Sequence, residues 1–85
     1  MKLTITAHAK KQIRKFPKTL KLIIFTKIRK IVSESNRPFE KLEGYKNFYK
    51  ARVGNYRIIF IKYPKEIEIA LVAHRKEVYK LLARI

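Results

Sequence analysis

The chain has 85 residues, 47% of them hydrophobic, which suffices for one compact domain over residues 1–85 and leaves no length for a second. Twenty-two Lys and Arg stand against six Glu and no Asp, a net charge of +16, well beyond the magnitude of about 2–8 that keeps a small domain in solution. The absence of Cys excludes a disulfide framework and a thiolate metal site, two His do not make a zinc centre, and the longest apolar runs (Ile23–Phe25, Ile58–Ile61, Ile69–Ala73) are too short for a bilayer span.

These bounds lead us to expect a soluble cytoplasmic protein with no metal, no cofactor and no membrane association. So many like charges repel one another in the free fold. A polyanionic partner, nucleic acid or acidic protein, is therefore expected.

Taken in order, Lys2–Thr6 alternates polar and apolar residues and reads as a first strand, with Thr6 placed to cap a helix over residues 7–16 that turns Ile13 and Phe16 inward. Pro17 suits a first helical position and disfavours helix in the residue before it. From there Leu20, Ile23, Ile24, Lys27, Ile28, Ile31 and Val32 form the stripe of an amphipathic helix that ends near Ser33. The two helices make a hairpin. Residues 1–33 carry ten cations and no acid, so its outward face, including Lys10, Lys11, Arg14, Lys18 and Lys21, is either a solvated surface or a docking surface for RNA.

Ser35-Asn36-Arg37-Pro38 is loop chemistry. Residues 45–53, 55–63 and 66–73 are rich in Tyr, Val, Ile and Phe, with turns at Gly54-Asn55 and Pro64-Lys65, and read as three antiparallel strands. Residues 76–84 return to helical spacing through Val78, Leu81, Leu82 and Ile85. The expected fold is α+β, in the order β-α-α-β-β-β-α: a small antiparallel sheet, an N-terminal helical hairpin packed on it and a short C-terminal helix, with the helices on one face.

Within the first of the three strands, alternation sends Lys46, Phe48, Lys50 and Arg52 to one face and Tyr45, Asn47, Tyr49, Ala51 and Val53 to the other. Arg57 opens the next strand, where it approaches Arg52 or Lys50, and like charges facing each other across strands repel. A purely structural sheet would interleave acids. Several fixed donors converging on one point suit a phosphate whose charge grows during reaction. Further on, His74 and Arg75 sit at a strand end; in a helix Arg75 and Tyr79 would share a face at i, i+4. Each has a plain alternative: His74 a structural histidine, Arg75 a surface charge, and Tyr79 a helix residue with its ring in the core. Tyr45, Phe48, Tyr49 and Tyr56 are candidates for base stacking, but alternation puts Tyr45 and Tyr49 opposite the cationic face, and core packing is the expectation for most of the four.

The run from Leu42-Glu43-Gly44-Tyr45-Lys46 through Tyr49-Lys50-Ala51-Arg52-Val53-Gly54-Asn55-Tyr56-Arg57-Ile58-Ile59, followed by Val72-Ala73-His74-Arg75 and Glu77-Val78-Tyr79, resembles the RelE/ParE toxin superfamily, and the RelE branch in particular. The resemblance implies a RelE-like fold and a toxin of a type II toxin-antitoxin pair. It implies an endoribonuclease that enters the ribosomal A site and cuts mRNA without a metal, the ribose 2′-hydroxyl attacking the adjacent phosphate to leave a 2′,3′-cyclic phosphate and a 5′-hydroxyl. The implied partners are the ribosome with its rRNA, the mRNA, and an acidic antitoxin that covers the basic groove in a hetero-oligomer.

By position the resemblance picks out Lys50, Arg52, Arg57, Arg75 and Tyr79; on physical grounds Lys50, Arg52 and Arg57 would contact the scissile phosphate, Arg75 would steady the leaving oxygen or transfer a proton through water, and Tyr79 would serve as the base. His74 is a competing acid or base, because imidazole titrates in the useful range. A phenol ordinarily titrates near 10, so it acts as a base only where cations surround it. Lys10, Lys11, Arg14, Lys18, Lys21 and Lys46 are the expected contacts to RNA and ribosome. Two other readings remain: the ParE branch, whose members poison DNA gyrase without cutting RNA, and a degenerate toxin that binds RNA without turnover.

Overall fold

The structure, a computed structural model, describes residues 1–34 and 39–84. The loop expected at 35–38 and the apolar contact expected of Ile85 lie outside the described residues. In chain order the elements are β1 (Lys2–Ile5), α1 (Ala7–Arg14), α2 (Lys18–Ser33), β2 (Glu40–Lys41), β3 (Phe48–Val53), β4 (Tyr56–Tyr63), β5 (Glu66–His74) and α3 (Val78–Leu82).

Five strands form one sheet in the order β1-β5-β4-β3-β2. The β2–β3, β3–β4 and β4–β5 pairs are antiparallel, as expected. β1 differs: it lies parallel to β5, with Leu3 beside Ile67 and Ile5 beside Ile69, so the sheet is mixed. β2 was not foreseen. It is two residues long and carries no periodicity of its own, yet it places Glu40 opposite Lys50.

Thr6 caps α1 as its sequence position implies: its hydroxyl oxygen accepts from the Ala9 N–H at 3.1 Å and its O–H donates to the Ala70 carbonyl at 3.2 Å. α1 stops at Arg14, short of the expected residue 16, and Pro17 stands just outside α2 as its N-cap. The buried stripe of α2 is Ile24, Ile28 and Ile31, with Leu20 and Val32 half-buried. Ile23, expected inside, is 49% exposed. Beyond the end of β1, α1 shields the outer edge of β5, and Gln12 Oε1 accepts the Val72 N–H at 2.9 Å.

Strand β3 begins at Phe48 rather than at residue 45, because Asn47 (φ 64°) and Gly44 (φ 84°) turn the chain just before it. Lys46 consequently lies in that turn and not on the strand face. The β3–β4 hairpin closes with Gly54-Asn55 as a two-residue loop between the paired Val53 and Tyr56. Gly54 takes φ 57°, the sign a primed hairpin turn requires at its first position.

A bulge decides which face carries what. β4 is in step with β5 from Ile58–Val72 to Ile59–Leu71, then Phe60 pairs with Ile69, so Ala70 is the extra residue. As a result Ile67, Ile69 and Val72 join Ile58, Phe60, Ala51 and Val53 beneath α1 and α2. Leu71 and Ala73 instead join Ile59 and Leu42 beneath Val78 and Leu82 of α3. The expectation of all helices on one face is thus corrected: α1 and α2 cover one face of the sheet and α3 covers the other. Among the described residues no helix is long and apolar enough to cross a membrane.

Candidate active site

The face beneath α3 carries Lys50, Arg52 and Arg57 of the central strands, whereas Lys62 of β4 lies on the other face, over the Tyr49 ring. Sheet register sets Glu40, Lys50 and Ile59 side by side on β2, β3 and β4, and sets Arg52 directly against Arg57 one step nearer the hairpin tip. α3 packs over Ile59, Leu71 and Ala73 through Val78 and Leu82. Its five residues leave Tyr79 at the rim, 55% exposed, so the ring is not a core residue.

Lys50 Nζ donates to Tyr79 Oη at 2.8 Å and lies 3.3 Å from Glu40 Oε2. The phenol contact, and after it the Glu40 carboxylate, hold the Lys50 ammonium above its ordinary pKa, against the opposing pull of partial burial. Lys50 is therefore a firm cation with a phenol on one flank and a carboxylate on the other. Arg57 folds back on its own turn, its Nη1 donating to the Gly54 carbonyl at 3.0 Å and the Tyr56 carbonyl at 2.9 Å. Arg52 is exposed and has no carboxylate partner among the described residues.

Arg75 comes to the same end of the molecule by its backbone, whose N–H donates to the Asn55 carbonyl in the hairpin turn at 2.7 Å. It precedes α3, so the helical i, i+4 relation expected between Arg75 and Tyr79 does not occur. His74 sits elsewhere: it pairs with Tyr56, the two rings meet edge to face at 5.4 Å on the side of α1, and Nδ1 accepts the Lys76 N–H at 3.1 Å. The bulge at Ala70 is the reason. Unbroken alternation would have turned His74 toward Lys50.

Lys10, Lys11 and Arg14 on α1 and Lys18 and Lys21 on α2 belong to the opposite face of the sheet from Lys50 and Tyr79. Lys10, Arg14 and Lys21 gather with Ile5, Ile13 and Phe25 around an open groove of about 260 Å³. Lys46 borders a separate hollow with Leu42 and Tyr45. The structure thus joins Lys50, Tyr79, Arg52 and Arg57, brings the Arg75 backbone to their end, and sets the remaining cations and His74 apart. Glu40 is the neighbour that sequence reasoning missed. No group of three or more metal-ligating side chains gathers among the described residues.

What this arrangement offers chemically is three cations on one sheet face, Lys50, Arg52 and Arg57, with a phenol and a carboxylate beside Lys50, groups of the kind that hold anions and move protons. Comparison with known proteins gives the same region a context. The sequence model of the ParE toxin of type II toxin-antitoxin systems matches residues 3–79. Toxin RelE3 of Methanocaldococcus jannaschii is 45% identical over 40 residues, 47% of this chain and 46% of that protein, so the match spans about half the length of this curated relative.

Among solved structures, the toxin of a RelB-RelE antitoxin-toxin complex from Methanococcus jannaschii superposes with a TM-score of 0.74 at 28% identity, over 92% of this chain and 96% of that one. An archaeal RelE-RelB complex from Pyrococcus horikoshii gives 0.69 at 29% identity, over 87% and 93%. The isolated RelE toxin of E. coli gives 0.77 at 21% identity, over 98% and 95%, a likeness of fold.

Proposed function

This chain belongs to the ParE toxin family of type II toxin-antitoxin systems, and from that premise we propose that it acts in the RelE manner, as a ribosome-dependent endoribonuclease cutting mRNA in the A site. One observation carries the reading: the 2.8 Å contact between Lys50 and Tyr79 at the edge of the Arg52–Arg57 pair. A poison that only binds its target has no need to aim an ammonium at an exposed phenol. A nuclease does, because the contact sets the phenol oxygen at the rim of the cationic row, within reach of a bound substrate's proton.

In this reading Lys50, Arg52 and Arg57 hold the scissile phosphate and offset the charge that builds as the ribose 2′-hydroxyl attacks. Tyr79 moves a proton, and Arg75 steadies the leaving 5′-oxygen electrostatically, a guanidinium being a poor acid. His74 faces away and is a second choice for proton transfer. The products are a 2′,3′-cyclic phosphate and a 5′-hydroxyl, and no metal takes part. So small a catalytic set relies on the ribosome to orient the mRNA. The cations of α1 and α2, together with Lys46, dock on ribosomal RNA. With about six phosphates neutralised, affinity falls with salt at a log-log slope of roughly −4 to −5.

The archaeal structures to which this chain is similar are RelB-RelE complexes, which supports an acidic antitoxin as the cytoplasmic partner that masks this charge. The ParE description of the family favours a second reading, inhibition of DNA gyrase. Replacement of Tyr79 by Phe and of Arg75 by Ala separates the two: under the nuclease reading each variant still binds ribosomes but cutting is lost, whereas normal cutting by both removes the assigned roles.

A further inference from the structure

His74 is turned away from Lys50, yet the chain reaches Tyr79 through it. Between the end of β5 and the start of α3 lie only residues 75–77, and this short turn decides where the phenol enters the cationic row. Three hydrogen bonds hold it. The Arg75 N–H donates to the Asn55 carbonyl at 2.7 Å, the Glu77 N–H to the His74 carbonyl at 2.9 Å, and the Lys76 N–H to His74 Nδ1 at 3.1 Å. Only the last uses a side chain.

α3 gives itself little direction. Its five residues are far fewer than the roughly 12–15 an isolated helix needs, and no side chain caps its first turn. It rests on the sheet through a stripe of Val78, Leu81 and Leu82. Tyr79 lies off that stripe, so the place of its Oη follows the roll of the helix, and the roll is set where the chain enters.

Histidine suits this turn in two ways. Nδ1 stands two bonds beyond Cβ, as Oδ1 does in Asn, so its contact with the N–H two residues on is the imidazole form of an Asx turn. The ring also lies edge to face against Tyr56 at 5.4 Å, and Tyr56 meets Phe16 at 5.2 Å, which pins the turn to the α1 side of the sheet while Tyr79 stands on the other. The acceptor exists only in the neutral ring, because an imidazolium offers two N–H groups and no lone pair. Lys15 of α1, the phenol of Tyr56 on β4 and Glu77 of the turn itself line, with Gln12, a hollow of about 250 Å³ that the ring borders; Arg75 and Lys76 follow it in the chain.

We propose that His74 is a positioning residue of the cleavage reaction: its neutral imidazole caps the turn before α3 and so seats Tyr79 against Lys50. This rests on the nuclease reading above. His74 carries no proton to or from the substrate. When its ring takes up a proton, the Lys76 N–H loses its acceptor, the turn is released, and Tyr79 Oη is no longer held at 2.8 Å from Lys50 Nζ.

The test is single-turnover cutting of mRNA on programmed ribosomes from about pH 5 to 8, the range in which imidazoles change charge, by the wild type, His74→Asn and His74→Phe. The first variant keeps the acceptor and lacks the ring; the second keeps a ring and lacks the acceptor. All three proteins should bind ribosomes alike. At the alkaline end His74→Asn should cut at close to the wild-type rate and His74→Phe roughly 10–100 times more slowly, the loss that a misplacement of about 1 Å produces. Toward acid the ratio of the wild-type rate to that of His74→Asn should fall, because only the wild type can lose its acceptor to a proton. His74→Asn as slow as His74→Phe, His74→Phe as fast as the wild type, or a ratio that does not change with pH overturns the assignment while the nuclease reading stands. Should His74→Phe not fold, the other two proteins decide. Wild-type protein that does not cut overturns both.

Discussion

Arg52 and Arg57 are direct cross-strand partners, and this pair allows the stability cost of the site to be measured. Directly opposed side chains have Cβ atoms about 4.5–5.5 Å apart, and like charges there destabilise by about 0.2–1 kcal/mol. Arg57 cannot swing away freely, because its guanidinium is fixed to the Gly54 and Tyr56 carbonyls. Arg52 alone can relax. Replacing each by Gln, singly and together, gives a double-mutant cycle in which strand propensity and the lost carbonyl contacts cancel.

Arg52→Gln should stabilise the free protein by up to about 1 kcal/mol more with Arg57 present than with Gln at 57, a difference of up to roughly 4–8 °C in Tm for a domain of this size. In 1 M salt the Debye length falls to about 3 Å and the difference should shrink toward zero. The assay is denaturant unfolding of the four proteins at low and high salt. A coupling of zero at low salt, or one that favours the arginine pair, would refute the idea that the cations are held together against their own repulsion.

Three further outcomes follow from the coordinates. Phe60 is fully buried between Phe39, edge-on at 5.3 Å, and Tyr49, stacked at 5.8 Å; Phe60→Ala should cost about 3–5 kcal/mol in chemical denaturation. At Gly54, φ is 57° and an added Cβ would meet nothing within 4 Å, so Gly54→Ala should cost only the backbone term of roughly 1–2 kcal/mol, read by the same method. The Lys50 ammonium is held above its ordinary 10.5 by Tyr79 and then Glu40. Its contribution to stability is therefore fully present below pH 10.5 and lost as pH rises through the raised value, so a pH titration of Tm should lose that contribution on the alkaline side for the wild type and not for Lys50→Met.

Much of this architecture is legible in the sequence where a period repeats often enough. The recurrence of Ile24, Ile28 and Ile31 at four and three residues, the turn at Gly54-Asn55 and the alternation that gives Lys50 and Arg52 one face all reappear in the structure. What escaped was set by pairing partners or by single insertions. β2 is too short to carry a period, so Glu40 beside Lys50 could not be foreseen. The parallel seat of β1 next to β5 depends on contacts 64 residues apart, as between Leu3 and Ile67.

The bulge at Ala70 adds one residue, and one residue inverts a strand's faces. That inversion moves His74 to the α1 side and lets Leu71 and Ala73 form a second core, which draws α3 to the far side of the sheet and brings Tyr79 within reach of Lys50. Only Lys50 of the strand cations meets an internal carboxylate among the described residues. Arg52 is exposed, and Arg57 meets only the carbonyls of its own turn, so neither charge is neutralised by a carboxylate among the described residues.

The most direct test of the account is to add the protein to a translating extract and map the mRNA ends. The account predicts cuts inside A-site codons, each upstream fragment ending in a 2′,3′-cyclic phosphate. Intact mRNA in the same extract, with DNA gyrase inhibited, would contradict it.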